Sequence, residues 1–426
     1  MINNNLNETL TKNRILIDNW LSSIEDKKTL PLYTSVDIRD AGFKSAIVDT
    51  NLFPAGFNNL CKMGLEEAKV TFKEAIVNRN PNCKSILIVT ENHTRNTWYL
   101  ENVYVLKTLI EDAGFKATLC TNISTDADTI NLSTASGKNI TLVNLKSILN
   151  NKSAGFDLII LNNDLADGVP YELTQFDIPI YPSISAGWHS RLKSHHFSEM
   201  NQLIQKFANL INCDPWIFSC LYEHVDNCSI NQEEGRERLY QAATKLFARI
   251  QSKYNEYNIS EKPFIFIKAN SGTYGMGVTS IESADEILQF NRKNRNKLYK
   301  GKSALPISSF ILQEGVPTIS NVDNNVSEVC IYKVVNQFVG GFYRVNNQKT
   351  SRENLNSRGM TFTKMCAAPN MNCVLQENTH DECGVKPDQN LSLYRILARI
   401  AGVASQKEIV QLEAKIDPSE VVRVRR

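Results

Sequence analysis

Residues 263–278 read Pro263-Phe-Ile-Phe-Ile-Lys268-Ala-Asn-Ser-Gly272-Thr-Tyr-Gly275-Met-Gly277-Val278. The short run after Pro263 is apolar, aromatic and β-branched, which predicts a buried strand. Lys268 ends that strand, so its ammonium stands on a rigid element. Three glycines follow within six residues. Glycine lets a backbone come close to a ligand and turn its N–H groups toward an anion. A strand-borne lysine running straight into such a loop predicts a phosphate-binding site.

The rest of the chain bounds what that site can belong to. At 426 residues it exceeds one ordinary core, so two or three domains are expected. A formal net charge of +2 gives no global field to recruit nucleic acid or an anionic membrane, so anion binding must be local. No stretch approaches the ~18 apolar residues that span a bilayer. The start of the chain lacks the basic and apolar segments of a signal peptide, which predicts a cytoplasmic protein. The ten cysteines form no Cys-x-x-Cys pair and are expected to be free, buried thiols. Cys366, Cys373, His380 and Cys383 form a loose cluster with spacings wider than most zinc sites.

Periodicity predicts a lead-in helix over 8–28, then extended segments from Pro31 to Cys61. A parallel α/β pattern follows. Strands are expected at 85–90, 116–120, 140–143, 157–161 and 178–181, with a helix over 97–113 closed by Gly114. In the second half, helices are expected over 199–225, 233–257, 283–294 and 391–417. A strand over 308–312 leads into Gln313-Glu314-Gly315, and a hairpin turns at Asn336. The expected fold class is α/β: an N-terminal parallel-sheet domain over 1–198, then a nucleotide-binding α+β domain over 199–426.

Chemistry is assigned by residue type. Lys268 neutralises phosphate charge while Ser271, Gly272, Thr273, Gly275 and Gly277 wrap the phosphates. Gln313, Glu314 and Gly315 lie at the back of the cleft, where backbone groups read an adenine edge. Arg344 offers a bidentate donor to a transferring phosphoryl or a carboxylate. Glu328, Glu353, Asn354 and Asn356 supply the oxygen ligands that Mg²⁺ requires. For an amino-acid substrate, Arg39 and Arg95 offer cations, Asp37 and Asp49 anions, and Asn51 and Asn58 amides. Plainer readings stand beside these: Glu314 pairing with a surface lysine, Asp37 with Arg39, and the asparagines serving turns. His189 and Arg191 either line the cleft or are structural, and His195-His196 beside Lys193 reads as a solvated turn.

The run Lys268–Val278, with Gln-Glu-Gly315, Gly-Gly-Phe-Tyr-Arg344 and Glu-Asn-Leu-Asn-Ser357, resembles the ATP-grasp-related bacterial glutamate–cysteine ligases. The likeness continues in Ser35-Val-Asp37-Ile-Arg39, Asp49-Thr-Asn-Leu-Phe-Pro-Ala-Gly-Phe-Asn-Asn59, His93-Thr-Arg95-Asn96 and Gly187-Trp-His-Ser-Arg191, so it covers most of the chain. It implies an ATP-grasp-like second domain, ATP and Mg²⁺ as cofactors, and glutamate and cysteine as small-molecule substrates joined through an acyl phosphate. Homo-oligomerisation is left open. One departure is the absence of a late Glu-x-Asn metal pair after Leu391. Two alternatives remain: the same chemistry on another amino-acid pair, or a nucleotide-binding regulatory protein without turnover.

Overall fold

The computed structural model describes residues 2–125, 127–151, 155–272, 277–299, 307–367, 385 and 389–415. The chain first makes a hairpin, β1 (Tyr33–Asp40) and β2 (Ser45–Asn51). The next six strands are β3 (Ser85–Thr90), β4 (Lys116–Thr121), β5 (Thr129–Ser133), β6 (Asn139–Asn144), β7 (Leu158–Asn162) and β8 (Ile180–Tyr181). Then come β9 (Tyr222–Val225), β10 (Ile265–Ala269), β11 (Thr279–Ile281) and β12 (Phe310–Glu314). The last are β13 (Asn321–Val322), β14 (Asn325–Val334), β15 (Gln337–Asn346) and β16 (Met360–Met365).

Three sheets result. The order β5-β6-β4-β3-β7-β8 is parallel except for the antiparallel edge strand β5. Its centre, β3 and β7, is a run of Ile, Leu and Val buried on both faces, as a helix-covered parallel sheet requires. The order β11-β10-β12-β9 is antiparallel and carries Lys268. The third sheet, β16-β15-β14-β1-β2 with β13 beside β14, is also antiparallel. The architecture is therefore mixed α/β.

The third sheet joins strands from residues 33–51 to strands from residues 325–365. The sheets thus do not divide the chain between 198 and 199, because the first hairpin is built into the C-terminal half. One face of this sheet lies against the helix Leu391–Lys415, whose Ala398 carbonyl accepts from Lys333 on β14. The other face is covered at one end by Phe57, packed on Tyr332, and by the helix Lys62–Arg79, where Gly64 sits against the Val339 carbonyl.

The stretch Phe53–Asn59 proves to be a wedge between two sheets. Asn162 of β7 donates to the Pro54 carbonyl, and Asn102 accepts from the Phe57 N–H. Phe57 is fully buried against Tyr33, Phe72 and Tyr332.

Several segments differ from expectation. The helix expected over 199–225 is Lys193–Leu210. Asn212 then takes a left-handed φ of 53°, Asp214 caps a short 3-10 turn containing Pro215, and 222–225 is strand. Proline cannot donate the N–H that a continuing helix needs. The lead-in helix divides at Asn13 into Ile2–Lys12 and Arg14–Ile24. The helix over 283–294 divides into Asp285–Leu288 and Arg292–Tyr299. The eight described cysteines are free, and seven of them are buried; Cys373, His380 and Cys383 lie outside the described residues.

Gly56 tests the wedge. A Cβ there would stand 2.6 Å from the Tyr332 hydroxyl and 3.0 Å from the Phe342 ring. Gly56→Ala should therefore lower stability by about 1–3 kcal/mol, the usual cost of overpacking. Urea unfolding measures it, and an unchanged midpoint would show that the rings can yield.

Candidate functional site

Alternation along the third sheet puts Arg39, Glu328 and Arg344 on one face, and the register places them in a single row across β1, β14 and β15. Glu328 is nearly buried between two cations. Its Oε2 accepts from Arg39 Nε at 2.8 Å, and its Oε1 accepts from Arg344 Nη1. Burial raises a carboxyl pKa, but the two guanidiniums outweigh it and hold Glu328 below the usual range. Asp37 lies one row along and takes Arg344 Nη1 at 2.9 Å. Burial, with repulsion from Glu328, pushes Asp37 up despite Arg344.

Asp37 is paired in register with Asp49 of β2. Immediately after this pair the register shifts, leaving Val48 as the extra residue of a bulge. The Val48 carbonyl accepts from Lys268 Nζ at 3.1 Å and from Gln313 Nε2 at 3.4 Å. The edge strand β2 is thus covered by side chains of the lysine sheet, as an edge needs to be.

Lys268 makes no ion pair among the described residues. Burial lowers its pKa to about 8, against the pull of Asp49. Asp49 itself pairs with Lys193 at 2.9 Å. Although burial opposes ionisation, Lys193 and Lys268 hold Asp49 well below the carboxylate range. Lys193 reaches this place through Asn270, two residues after Lys268. The Asn270 carbonyl accepts from the Lys193 N–H at 2.7 Å, and its side chain bonds Ser194 and Ser309. Behind Lys193, Arg191 makes a two-oxygen pair with Glu408 at 3.0 Å, and His196 Nδ1 shares that carboxylate. His196 is buried inside a helix, which corrects the solvated-turn reading; only His195 is exposed.

Together these groups line an open cleft of about 700 Å³, its mouth included. Of the predicted residues, Asp37, Arg39, Asp49, Lys268, Gly272, Gln313, Glu314, Glu328, Arg344, Asn354 and Asn356 line it. Two carry buried polar atoms without a partner among the described residues, Gln313 Oε1 and Arg344 Nε. A buried polar atom of this kind needs a water or a ligand to satisfy it. Lys193 also lines the cleft. Sequence reasoning passed over it because the neighbouring histidines suggested a surface turn.

Other predicted residues are placed elsewhere. Arg39 is spent on Glu328 and on the Val316, Ser351 and Glu353 carbonyls. Arg95 is exposed, and neither it nor Ser271, Gly277 or Gly315 lines the cleft. Asn51 caps its own turn by accepting from Phe53 N, and Asn58 bonds Asn59. Gly315 is required by packing, since a Cβ would fall 2.3 Å from the Phe264 ring. Glu314 is fully buried, accepting from Lys44, Trp216 Nε1 and the Leu221 N–H; its partner lysine is interior, not surface. Thr273 and Gly275 lie outside the described residues.

Of the four proposed metal ligands, Glu328, Asn354 and Asn356 line the cleft and Glu353 does not. Both oxygens of Glu328 are taken by arginines. The Glu353 carboxylate turns to Lys349 and the Thr350 N–H. That leaves Asn354 and Asn356 as amides alone, and no group of three or more His, Cys, Asp or Glu among the described residues could hold a metal. The set named from sequence therefore does not fit a divalent cation.

Comparison with known proteins adds the following. A family model described as Glutamate-cysteine ligase matches residues 7–409. A solved structure provisionally designated gamma-glutamylcysteine synthetase, from Methylobacillus flagellatus KT, is 33% identical with a TM-score of 0.84, covering 96% of each chain. The D-cycloserine synthetase DcsG matches at 11% identity and a TM-score of 0.38, over 78% of this chain and 82% of that one. D-alanyl-alanine synthetase A from Vibrio cholerae matches at 9% and 0.28, over 58% and 67%. Those last two scores are too low to bear on the fold. No curated protein matches the chain.

Removing one partner of the charged row should be costly. Glu328→Gln leaves Arg39 and Arg344 buried without their shared carboxylate and is expected to lose about 3–5 kcal/mol. Glu353→Gln, on a half-exposed side chain, should stay within about 0.5 kcal/mol. Equal losses in denaturant unfolding would show that the row does not bear on stability.

Proposed function

The chain belongs to the glutamate–cysteine ligase family, and we propose that its cleft joins glutamate to cysteine at the expense of ATP. The γ-phosphoryl group passes to an oxygen of the glutamate γ-carboxylate. The bond from that phosphorus to the β,γ-bridging oxygen breaks, and ADP leaves. The cysteine amine nitrogen then forms a bond to the acyl carbon, phosphate departs with the acyl oxygen, and the amine proton goes to solvent. The product is γ-glutamylcysteine.

The observation that carries this reading is Lys268, a half-buried cation at a cleft wall, bonded to one carbonyl and, among the described residues, to no carboxylate. In that position it meets phosphate oxygens and spreads the charge that builds on transfer. Arg344 keeps an unpartnered Nε for an oxyanion. Lys193 and Asp49, of opposite sign and side by side, suit the carboxylate and ammonium of an amino acid.

The lysine sheet and the charged sheet face each other across the cleft, an arrangement we read as ATP-grasp-like. The first hairpin belongs with this nucleotide-binding part, and the parallel sheet forms the other. The divalent ion expected with ATP finds no carboxylate cluster among the described residues. No helix among them is long and apolar enough to cross a membrane, and the reading places the enzyme in the cytoplasm.

The test is ADP release from ATP with glutamate, run with cysteine, with other amino acids, and with no acceptor. Cysteine-dependent ADP together with the γ-glutamylcysteine mass supports the reading; another acceptor changes the substrate, and no turnover with any pair overturns it.

Lys268 gives a pH signature. With its pKa depressed to about 8, the free enzyme loses this charge as pH rises, so kcat/KM for ATP should fall through about pH 8. Lys268→Arg should move the fall upward, and Lys268→Ala should lower kcat by about 10²–10³. A profile unchanged by Lys268→Arg would remove the lysine from the role.

A further inference from the structure

β14 carries Glu328 on the face toward the cleft and Lys333 on the opposite face, under the helix Leu391–Lys415. Beside Lys333 lies a second cavity that shares no lining residue with the first. It encloses about 300 Å³. That is the size of a small-ligand site.

Its walls carry Lys27, Lys333, Arg395 and Arg399 against one carboxylate, Glu25. Glu25 is already committed, with both oxygens on Arg399 and one also on Asn336 Nδ2. Asp18 takes Arg399 from outside the cavity. Arg395 makes no ion pair among the described residues and stacks over Phe338 at 5.1 Å.

Lys333 is the most telling group. It is 1% exposed, and its Nζ has a single acceptor, the Ala398 carbonyl at 2.9 Å. An ammonium carries three donors, so two are without an acceptor among the described residues. The helix makes room for it: a Cβ on Gly402 would stand 2.5 Å from that nitrogen. A buried, under-satisfied cation facing a polar cavity with excess positive charge is costly unless an anion can join it.

We propose that this cavity is a second binding site, separate from the cleft, for a small oxyanion bearing carboxylate or phosphate groups. Lys333 and Arg395 are its principal donors, with Asn336 and Ser22 on its walls.

The proposal is tested on the full chain by calorimetric titration with inorganic phosphate and, separately, with citrate, at constant ionic strength in chloride. Phosphate can also enter the cleft, so Lys268→Ala is titrated in parallel. Binding of at least one of the two anions should survive Lys268→Ala and weaken about tenfold or more in Arg395→Ala, the loss of a charge-assisted hydrogen bond. Because Arg395 is exposed, that variant should fold, as circular dichroism will check. Lys333→Met provides a second readout. Burial brings Lys333 down to about 7, opposed by Glu25 and reinforced by Arg399. At pH 8 the anion should therefore drive proton uptake, seen as a heat that depends on the buffer, and Lys333→Met should abolish that uptake. The preferred anion tells phosphate from carboxylate recognition. Absence of binding, or binding lost in Lys268→Ala and kept in Arg395→Ala, overturns the site.

Discussion

The cross-strand row Arg39–Glu328–Arg344 is the constraint on which the rest of the structure hangs. Three charged side chains are drawn out of water on one sheet face, and that is tolerable only if each is paired and hydrogen-bonded. Arg39 comes from the first hairpin, while Glu328 and Arg344 come from the last. The carboxylate in the middle cannot be satisfied unless residues far apart in the chain meet in one register. A slip of one residue in β1 would turn Arg39 to the opposite face, where Lys333 and the C-terminal helix lie, and leave Glu328 with Arg344 alone. The charges therefore fix the pairing of β1 with β14 more strictly than the apolar residues around them could.

From that register the second relationship follows. Fixing β1 fixes β2, and the bulge at Val48 turns one carbonyl of the edge strand toward the lysine sheet. Lys268 and Gln313 both dock on it. Nearby, Arg191 donates to the Thr50 carbonyl and the Cys220 thiol to that of Ile47. The edge of one sheet thus serves as a row of acceptors for side chains of the strands and loops packed beside it. The cleft lies along this seam, so its geometry is set by backbone groups.

Local patterns in the sequence carried the local facts. The apolar run before Lys268, the Ile-Leu-Ile-Val core of β3, and the hairpin at Asn336 each declare themselves within a few residues. Most cleft residues were also legible, because lysine, arginine and carboxylates beside glycine turns are chemically conspicuous. What stayed hidden depends on long-range pairing. Nothing near residue 37 says that its strand partner lies beyond residue 325. Asn51 and Gly315 read as candidate ligand groups, yet Asn51 accepts from the Phe53 N–H and Gly315 lies against the Phe264 ring. Lys193 is the converse case. Its segment looks like surface, and only the Asn270 clasp brings it to the cleft.

That clasp also accounts for the electrostatics of the cleft wall. Asn270 binds both the start of the helix at Lys193 and the loop at Ser309, so two lysines from different elements are held near one carboxylate. Asp49 answers Lys193 directly and Lys268 only through space, so that among the described residues Lys193 has an ion-pair partner and Lys268 has none. Burial then acts on the less compensated of the two and lowers its pKa. An arriving anion would reverse this by giving Lys268 the counter-charge it lacks. Among the described residues, Arg39, Arg344 and Lys193 on this wall are each paired with a carboxylate, and Lys268, where the glycine loop begins, is not. Such a site has its donor oriented before the ligand arrives, so little reorganisation is needed when charge develops there.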